Sequence, residues 1–525
     1  MELFYPPDKC TLGQIVFLTV VYAKILFESS GLIANGSELL LLFPSVAGLV
    51  GSIVLPILGA VPDGIMVLFS GLGSDAQNQV SVGVGALAGS TVMLLTFPWF
   101  IAIISGKVNL GDDGQAAYGT TDDPPQSCFK QGVSYTQNLQ KTAKIMIATT
   151  LLFVVIQFPA SMEEEVTVGL DAATATKDQA RSEKSWALTG MVAACFAFFS
   201  YLVYCFLDAS EDKVLERVIE GIQKKEISIG AALKFAKDTS HTDGEEQTLS
   251  KGDQTRFKKI VRPFFAIYDA NGNGLLEPSE FKNLLSVLGE RFTLKAEQMI
   301  EDKNGQDQLS FDRVVTFLGQ YLREENLRKV QDVSYNPRYM PKYEDDEEEE
   351  EMPEDLLHLT REQQLFRVGF RAAWMMGLGT VMVIIFSDPM VDVLSDWGRR
   401  LDISPFYISF VLAPLASNAS ELVSAYQYAQ KKSQKSITTA LSTLVGAACM
   451  NNTFCLAIFL ALVYWKKLAW QFTAETLAIV VIQWGIGFLT IKKTTHTVPM
   501  AILILLCYPG CLMIVWFFEN IVGWD

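Results

Sequence analysis

Long apolar blocks separated by polar segments constrain this 525-residue chain more than any other feature of its sequence. A bilayer core about 30 Å thick requires roughly 20 apolar residues per spanning helix, and each block approaches or exceeds that length. Half of all residues are hydrophobic and only 19% are charged, which excludes a set of ordinary soluble domains. We therefore predict about ten transmembrane helices, near residues 12–34, 40–72, 78–105, 143–160, 185–207, 364–386, 403–429, 437–465, 474–491 and 497–518.

A polar stretch from about residue 208 to 365 divides these blocks into five and five. Its acidic run from Glu344 to Glu351 contributes much of the net charge of −16 and is typical of a solvated linker. This charge balance does not support a nucleic-acid-binding surface, so we expect no nucleic-acid partner. With five spans on each side, both termini face one compartment and the polar stretch faces the other. Lys and Arg counts in the short loops are nearly equal on the two sides and do not fix the orientation.

The two apolar halves share an internal repeat. Pro56–Asp63 (PILGAVPD) matches Pro414–Glu421 (PLASNASE), with a carboxylate seven positions after a proline in both segments. The match continues downstream, because Gly89 in GSTVM and Gly446 in GAACM follow the two carboxylates by 26 and 25 residues. Matching motifs in two five-helix halves predict inverted repeats that meet at a transport site.

Asp63 and Glu421 are the central residues of that predicted site. Proline and small residues interrupt the backbone hydrogen bonds of a membrane helix where it lines a cavity. An ionised carboxylate at the bilayer centre costs about 2.5–3.5 kcal/mol on insertion scales, so a matched pair calls for a cation. Either acid alone would be read equally well as a cap near the membrane surface. The repeat argues against that reading, because it places both carboxylates identically.

The middle stretch contains a calcium-binding loop. Asp269–Glu280 (DANGNGLLEPSE) has oxygen donors at the first, third, fifth and twelfth positions and Gly274 at the sixth, as an EF-hand requires. A simple turn between two helices is the alternative. The predicted metal ligands, with the seventh position contributing its backbone carbonyl, are Asp269, Asn271, Asn273, Leu275 and Glu280. Because a sensor EF-hand responds to cytosolic calcium concentrations, we place this domain in the cytosol.

A second loop, from Asp302 to Arg313 (DKNGQDQLSFDR), stands where a paired EF-hand is expected. Leu309 occupies the eighth position, where the short strand of the pair lies. The loop has Asp307 instead of glycine at position six and Arg313 instead of glutamate at position twelve. We expect this loop to support its neighbour and to bind calcium poorly or not at all.

With these motifs the chain resembles the cation/calcium exchanger superfamily, in particular the EF-hand-containing sodium/calcium exchanger-like proteins of plants and algae. The resemblance spans nearly the whole length and is carried by GAVPD and VSVGVGALAGSTVMLLT, by SNASE and LVGAACMNN, and by the EF-hand insert. It implies that Asp63 and Glu421 bind calcium near the midplane. Family members often have an amide or acid five residues after the repeat glycine, and here these positions are Leu94 and Asn451. Leu94 departs from the pattern. The remaining oxygen donors are Ser90, Thr91, Ser417, Asn418 and Asn451.

The predicted architecture is an all-α membrane protein with an inserted α-helical EF-hand domain. Its parts are a first transmembrane repeat at 1–207, the EF-hand domain at 208–335, an acidic linker at 336–362 and a second repeat at 363–525. The predicted activity is exchange of Ca²⁺ for Na⁺ or H⁺ by alternating access, regulated by Ca²⁺ at the EF-hand. SNASE is also similar to the corresponding segment of calcium/proton exchangers, so the counter-ion stays open.

Two rival functions are a Ca²⁺-gated cation channel and a membrane-anchored Ca²⁺ sensor without transport. A channel would need a continuous pore, and a sensor would not need repeated buried acids. No nucleophile, catalytic triad or phosphate-binding loop accompanies these motifs, so we predict no enzymatic activity. We expect a multi-pass protein of the plasma membrane or the vacuolar membrane, in which a monomer is sufficient for transport.

Overall fold

The computed structural model describes residues 4–39, 55–72, 76–111, 114–118, 127–163, 172–223, 251–269, 274–288, 309–325 and 361–523. The chain divides into two compact units. The membrane unit comprises Met1–Phe206 and Met352–Asp525, and the middle unit comprises Leu207–Glu351. Within the described residues both units are mostly helical, which agrees with the predicted fold class.

The structure describes five helices in the first half of the chain. They are α1 (Leu12–Leu39), α2 (Leu55–Ser70), α3 (Ala76–Gly106), α4 (Gln137–Glu163) and α5 (Ala172–Gln223). The middle unit contributes α6 (Lys251–Tyr268), α7 (Pro278–Val287) and α8 (Phe311–Glu325).

The second half of the chain contains the remaining helices, two of which end in π-helical turns. They are α9 (Arg361–Leu401), α10 (Pro405–Ser417), α11 (Ala419–Gln430), α12 (Gln434–Met450), α13 (Leu456–Lys466), α14 (Thr473–Lys492) and α15 (Val498–Phe517). The π-helix Asn451–Cys455 joins α12 to α13, and the π-helix Phe518–Val522 follows α15.

Eight helical stretches in the described residues are long and apolar enough to cross a membrane, and α10 with α11 forms a ninth if this bent pair counts as one span. These nine correspond to nine of the ten predicted spans. Of the span predicted at 40–72, the structure describes the apolar helix Ile57–Ser70, and residues 40–54 lie outside the described ranges. The chain is thus a multi-pass membrane protein, and the inverted relation of its halves stays a prediction.

The spans fall into an inner and an outer group. Most of α3 and of the continuous span α12–α13 is buried, whereas α1, α5, α9 and α15 are largely exposed. The outer helices present large apolar side chains such as Phe17, Phe196 and Met513 on their exposed faces. Because a lipid bilayer solvates such faces, the two central spans form the core of the membrane unit.

A small antiparallel sheet connects the two halves of the membrane unit. It consists of β1 (Val108–Asn109), β2 (Gln131–Ser134) and β5 (Thr495–Thr497), in the order β1-β2-β5. Val133 pairs with His496 in the register of β2 and β5. Sequence analysis missed this sheet because strands of two to four residues are too short to show an alternating pattern.

The described part of the middle unit is built around another sheet, which has two strands. Strand β3 (Leu275–Leu276) pairs antiparallel with β4 (Leu309–Ser310), so that Leu276 lies opposite Leu309. The short strand expected at Leu309 is therefore present. The helices that flank these strands pack their apolar faces together in a separate hydrophobic core that includes Phe257, Phe264, Phe281, Leu284 and Leu318.

Candidate functional site

The second-half repeat motif forms a broken helix. Ser404 caps α10 by accepting a hydrogen bond from the N–H of Phe406, and Pro405 occupies the first turn. The helix ends at Ser417, and Asn418 leaves helical geometry with φ −108° and ψ 20° before α11 begins. The axes of the two helices differ by 56°. Such a break places the polar residues that follow α10 inside the membrane unit.

The first-half motif places Asp63 inside the protein. Asp63 follows Pro62 within α2 and is only 3% exposed. The Ser90 hydroxyl on α3 donates to Oδ1 of Asp63 over 2.9 Å, and the Asn451 amide nitrogen lies 3.4 Å from Oδ2. The Ser417 hydroxyl is 3.4 Å from that of Ser90. Both carboxylate oxygens of Asp63 therefore face polar groups from three other elements.

Glu421 lies beside the face of α2 that carries Asp63. A Cβ atom built on Gly59 would be 3.6 Å from Oε1 of Glu421, and Gly59 precedes Asp63 by one helical turn. Glu421 occupies the first turn of α11, where the helix dipole favours negative charge. Its Oε2 accepts a hydrogen bond from the Ser420 hydroxyl over 2.9 Å. The two repeat carboxylates are thus brought to one region of the membrane unit.

The other predicted oxygen donors join this cluster. The Asn451 amide donates to the Thr91 hydroxyl over 3.2 Å, and Thr91 itself donates to the Leu87 carbonyl. Asn418 is buried at the break between α10 and α11, and its Nδ2 atom has no hydrogen-bond partner among the described residues. All seven predicted residues therefore lie on α2, α3, the α10–α11 break or the π-helix after α12.

Among the described residues, no basic side chain pairs with either repeat carboxylate. The ion pairs in the described ranges join other residues, and none of them includes Asp63 or Glu421. A buried carboxylate without a cationic partner is unfavourable in a membrane interior. The cluster is therefore suited to receive a cation from outside the chain.

Cys455 is a neighbour of the site that sequence analysis did not single out. Its buried thiol lies 3.5 Å from Oδ1 of Asn451 and 3.8 Å from the carbonyl of Ala60. Cys455 ends the π-helix Asn451–Cys455. The π-helical turn itself has no signature in apolar periodicity, whereas the four-residue spacing of Asn451 and Cys455 is one at which side chains meet on any helix.

The structure describes part of the predicted calcium loop. Gly274 has φ +75°, and its N–H donates to Oδ2 of Asp269 over 2.8 Å. The N–H of Glu277 donates to Oε2 of Glu280 over 2.9 Å, and Leu275 lies in β3. Asn271 and Asn273 lie outside the described residues, as does the second loop from Asp302 to Gln308. A positive φ at Gly274 is the conformation that the sharp turn of such a loop needs.

No group of three or more His, Cys, Asp or Glu side chains converges in the described ranges in a way that could hold a metal ion. Of the five predicted ligands in the loop, only Asp269 and Glu280 are of these types, and the others are two amides and a backbone carbonyl. The predicted calcium ligands therefore stay a prediction.

Part of the second half of the chain matches a known protein family, and the whole chain is similar to curated proteins. Residues 371–517 match the family model described as sodium/calcium exchanger protein. Sodium/calcium exchanger NCL2 of Oryza sativa subsp. japonica is 29% identical over 548 residues, covering 100% of this chain and 89% of that protein. Sodium/calcium exchanger NCL of Arabidopsis thaliana is 29% identical over 544 residues, covering 99% of this chain and 88% of that protein.

The crystal structure of the H⁺/Ca²⁺ exchanger CAX is a distant likeness. It aligns with this chain at a TM-score of 0.44 and 10% sequence identity, over 99% of this chain and 86% of that chain. The family match in the second half and the relatives that cover the whole chain agree with each other. The second half of the chain thus matches the sodium/calcium exchanger family, and the chain over its whole length is similar to plant sodium/calcium exchangers.

Proposed function

We propose that this protein is an antiporter that exchanges Ca²⁺ for Na⁺ or H⁺ by alternating access, with Asp63 and Glu421 as central ion ligands. One observation carries the proposal: two carboxylates from the two halves of the chain meet beside a broken helix, and neither pairs with a basic side chain in the described ranges. Its relatives are named as sodium/calcium exchangers. The superfamily consists of transporters, which supports the prediction that the chain is not an enzyme.

Charge neutralisation couples the two ions in this mechanism. Ionised Asp63 and Glu421 supply about two negative charges, which one Ca²⁺ neutralises directly and which monovalent cations neutralise in the other half-cycle. A doubly charged site without a cation resists enclosure in the low-dielectric interior. The halves therefore exchange access between compartments readily only when a cation is bound.

The side chains around the carboxylates fit a hard cation. Ca²⁺ prefers six to eight oxygen ligands, and the cluster offers hydroxyls from Ser90, Thr91 and Ser417 together with carboxylates and amides. Asn418 supports the assignment, since its buried Nδ2 lacks a hydrogen-bond partner among the described residues. A half-turn of that amide exchanges its nitrogen and oxygen positions and presents an oxygen ligand instead.

The middle unit is proposed to sense cytosolic calcium. Ca²⁺ bound by Asp269, Asn271, Asn273, the Leu275 carbonyl and Glu280 would order the loop and change the packing of its flanking helices. The positive φ of Gly274 and the β3–β4 pairing support this assignment. In this proposal the protein acts as a monomer in the plasma membrane or the vacuolar membrane, with the middle unit in the cytosol.

A Ca²⁺-gated channel and a sensor without transport remain the rival functions. A channel conducts down the gradient of one ion and needs no counter-ion, whereas an exchanger moves Ca²⁺ uphill when the other gradient is imposed. A sensor moves no ion at all, and its calcium response would not depend on Asp63.

Calcium uptake into liposomes that contain the purified protein distinguishes these functions. An outward Na⁺ gradient and an outward H⁺ gradient are imposed separately, with Asp63→Asn and Glu421→Gln measured alongside the unmodified protein. We expect one gradient to drive uphill uptake and both variants to abolish it. Uptake that needs no counter-gradient supports the channel.

The matched control is Glu28→Gln, which neutralises a membrane carboxylate on the exposed face of α1 that pairs with Lys24. This variant should transport normally. The exchanger proposal is wrong if neither gradient drives uptake, or if Asp63→Asn and Glu421→Gln transport as well as Glu28→Gln does.

A further inference from the structure

A second polar cluster lies next to the transport site and is not used by the mechanism above. The side chains of Asn452 and Gln483 form a reciprocal amide pair, with Asn452 Nδ2 donating to Gln483 Oε1 over 2.7 Å and Gln483 Nε2 donating to Asn452 Oδ1 over 3.0 Å. Asn452 Nδ2 also donates to the Thr149 hydroxyl over 3.1 Å. Both amides are completely buried, and Thr149 is 7% exposed.

The cluster lies deep in the membrane unit and joins three spans. Asn452 belongs to the span Gln434–Lys466, Gln483 to Thr473–Lys492 and Thr149 to Gln137–Ala160, and each residue is near the middle of its span. Thr149 donates its own proton to the Met146 carbonyl, so its oxygen is free to accept from Asn452. Each amide would be unfavourable in an apolar interior without its partner, so the pair holds its members in one relative position.

The consecutive amides Asn451 and Asn452 of the π-helix contact different sets of helices. Asn451 faces α2 and α3, where it reaches Asp63 and Thr91. Asn452 faces α14 and α4, where it meets Gln483 and Thr149. A π-helical turn is rare and is frequently found at functional sites. Contacts with both sets of helices therefore determine the rotation of Asn451–Cys455 about its axis.

We propose that Gln483 is a positioning residue for the cation site, although it touches neither the repeat carboxylates nor any other predicted ligand. By holding Asn452, it sets the orientation in which Asn451 presents its amide to Asp63. The inference rests on the proposed function, because it assigns Gln483 a role in the affinity of that same site. It predicts that cation affinity depends on an amide of α14, a helix that contributes no ligand.

Gln483→Leu tests the role, because leucine fills a similar volume and cannot hydrogen-bond Asn452. We expect the half-saturating Ca²⁺ concentration for uptake to rise about tenfold, while the maximal rate changes less than threefold. The change is attributed to the binding step, since the ligands themselves are intact and only their relative position is loosened. A general loss of folded protein would lower the maximal rate without changing half-saturation.

A double variant that exchanges the two amide residues tests whether cation affinity can be rescued. Asn452→Gln combined with Gln483→Asn keeps two facing amides and moves one methylene group from one side of the pair to the other. The double variant should restore half-saturation to within about threefold of the unmodified protein, whereas each single substitution should not.

The matched control is Gln140→Leu. Gln140 lies on α4 and donates to the carbonyls of Thr490 and Ile491 on α14, so it joins the same two helices without touching the π-helix. It should reproduce any loss of stability caused by removing an amide between α4 and α14, while leaving half-saturation unchanged.

Uptake by Asp63→Asn is measured in the same assay. If Asp63→Asn abolishes uptake while Gln483→Leu and Gln140→Leu share one half-saturating concentration, the positioning role of Gln483 is overturned and the exchange function stands. If Asp63→Asn transports normally, the proposed site and the positioning role fail together. A shift confined to Gln483→Leu and reversed by the double variant supports the proposal.

Discussion

The Ser90 hydroxyl on α3 donates to the Asp63 carboxylate on α2 over 2.9 Å, and the same hydroxyl lies 3.4 Å from that of Ser417 at the end of α10. Ser90 thus links the repeat motifs of both halves through one oxygen atom. Because a hydroxyl oxygen accepts as well as donates, it remains available to a cation that displaces its contact with Asp63. Ser90 therefore stands at the centre of the proposed site.

Ser90→Ala removes this oxygen without changing the charge of the site. Hydrogen bonds to charged groups contribute about 1.5–3 kcal/mol, so we expect the half-saturating Ca²⁺ concentration to rise roughly tenfold or more. The control is Ser387→Ala, which removes a buried hydroxyl of α9 that donates to the Val383 carbonyl of its own helix. Uptake measured over a range of Ca²⁺ concentrations tests the difference, and equal half-saturation in both variants would refute a ligand role for Ser90.

Gly89 determines how closely α3 approaches α10. A Cβ atom at this position would lie 2.2 Å from the Phe410 carbonyl oxygen and 2.8 Å from the Phe410 carbonyl carbon, both of which belong to the backbone. Since backbone atoms cannot rotate away, Gly89→Ala must push the two helices apart. We expect the free energy of unfolding to fall by several kcal/mol, as in other overpacked cores, and little folded protein to remain after purification.

Gly485→Ala is the control for this substitution, because a Cβ at Gly485 has nothing within 4 Å. Thermal unfolding in detergent should give a clearly lower midpoint for Gly89→Ala and an unchanged or slightly higher one for Gly485→Ala. Equal midpoints would mean that α3 and α10 are not in close backbone contact.

The repeat motifs show what the sequence could predict. Asp63 and Glu421 were identified because the same residue pattern occurs twice, and most of their oxygen neighbours followed from the adjacent small-residue motifs. The span predicted at 40–72 is tested only in part, since residues 40–54 lie outside the described ranges and the remainder contains the apolar helix Ile57–Ser70. The other nine predicted spans are present in the structure, because each is long, apolar and flanked by polar residues.

Contacts between distant segments were not predictable in the same way. Asn452, Gln483 and Thr149 stand in apolar stretches as single polar residues, and nothing in their spacing indicates that they meet. Cys455 lies within 3.5 Å of Asn451 in a π-helical turn, which leaves no periodic signal in the sequence. The β2–β5 pairing depends on two loops separated by more than 350 residues, as in the contact of Ser134 with Thr495.

Glu280→Gln tests the proposed calcium loop in the full-length protein. Glutamine replaces the bidentate carboxylate of the twelfth position with a weaker neutral ligand, so Ca²⁺ affinity of the loop should fall by at least tenfold. The dependence of uptake rate on Ca²⁺ at the cytosolic face should shift to higher concentration or disappear. Uptake by the transport site itself should persist, because Glu280 belongs to the middle unit.

Asp302→Ala is the control, since the second loop is expected to bind calcium poorly or not at all. It should leave the cytosolic Ca²⁺ dependence unchanged. An effect as large as that of Glu280→Gln would show that the second loop binds the regulatory ion, and no effect of either substitution would remove the calcium-sensing role of the middle unit.

His496 gives the membrane unit a pH-dependent stability. It lies in β5, outside the flanking membrane spans, and is completely buried. The Trp99 indole N–H donates to its Nδ1 atom over 3.3 Å, and Nε2 is 3.1 Å from the Tyr135 hydroxyl, which donates to the Lys493 carbonyl. An Nδ1 atom that accepts a hydrogen bond requires the neutral ring.

Burial lowers the pKa of His496 from 6.5 to about 4, with a smaller contribution in the same direction from Lys493. The unfolded chain therefore binds a proton below pH 6.5 that the folded protein does not bind until about pH 4. This contribution is fully present above pH 6.5 and is lost as the pH falls from 6.5 to about 4. At 1.36 kcal/mol per pKa unit, the loss amounts to about 3 kcal/mol.

Thermal midpoints of the unmodified protein and of His496→Gln, measured between pH 8 and pH 4.5, test this prediction. The unmodified protein should lose more stability than the variant over this range, because glutamine keeps polar atoms near Trp99 and Tyr135 and does not titrate. The difference should develop below pH 6.5 and should be absent above it. Parallel pH profiles for the two proteins would mean that His496 does not hold a neutral ring in the β2–β5 junction, and the observed acid sensitivity would then belong to other groups.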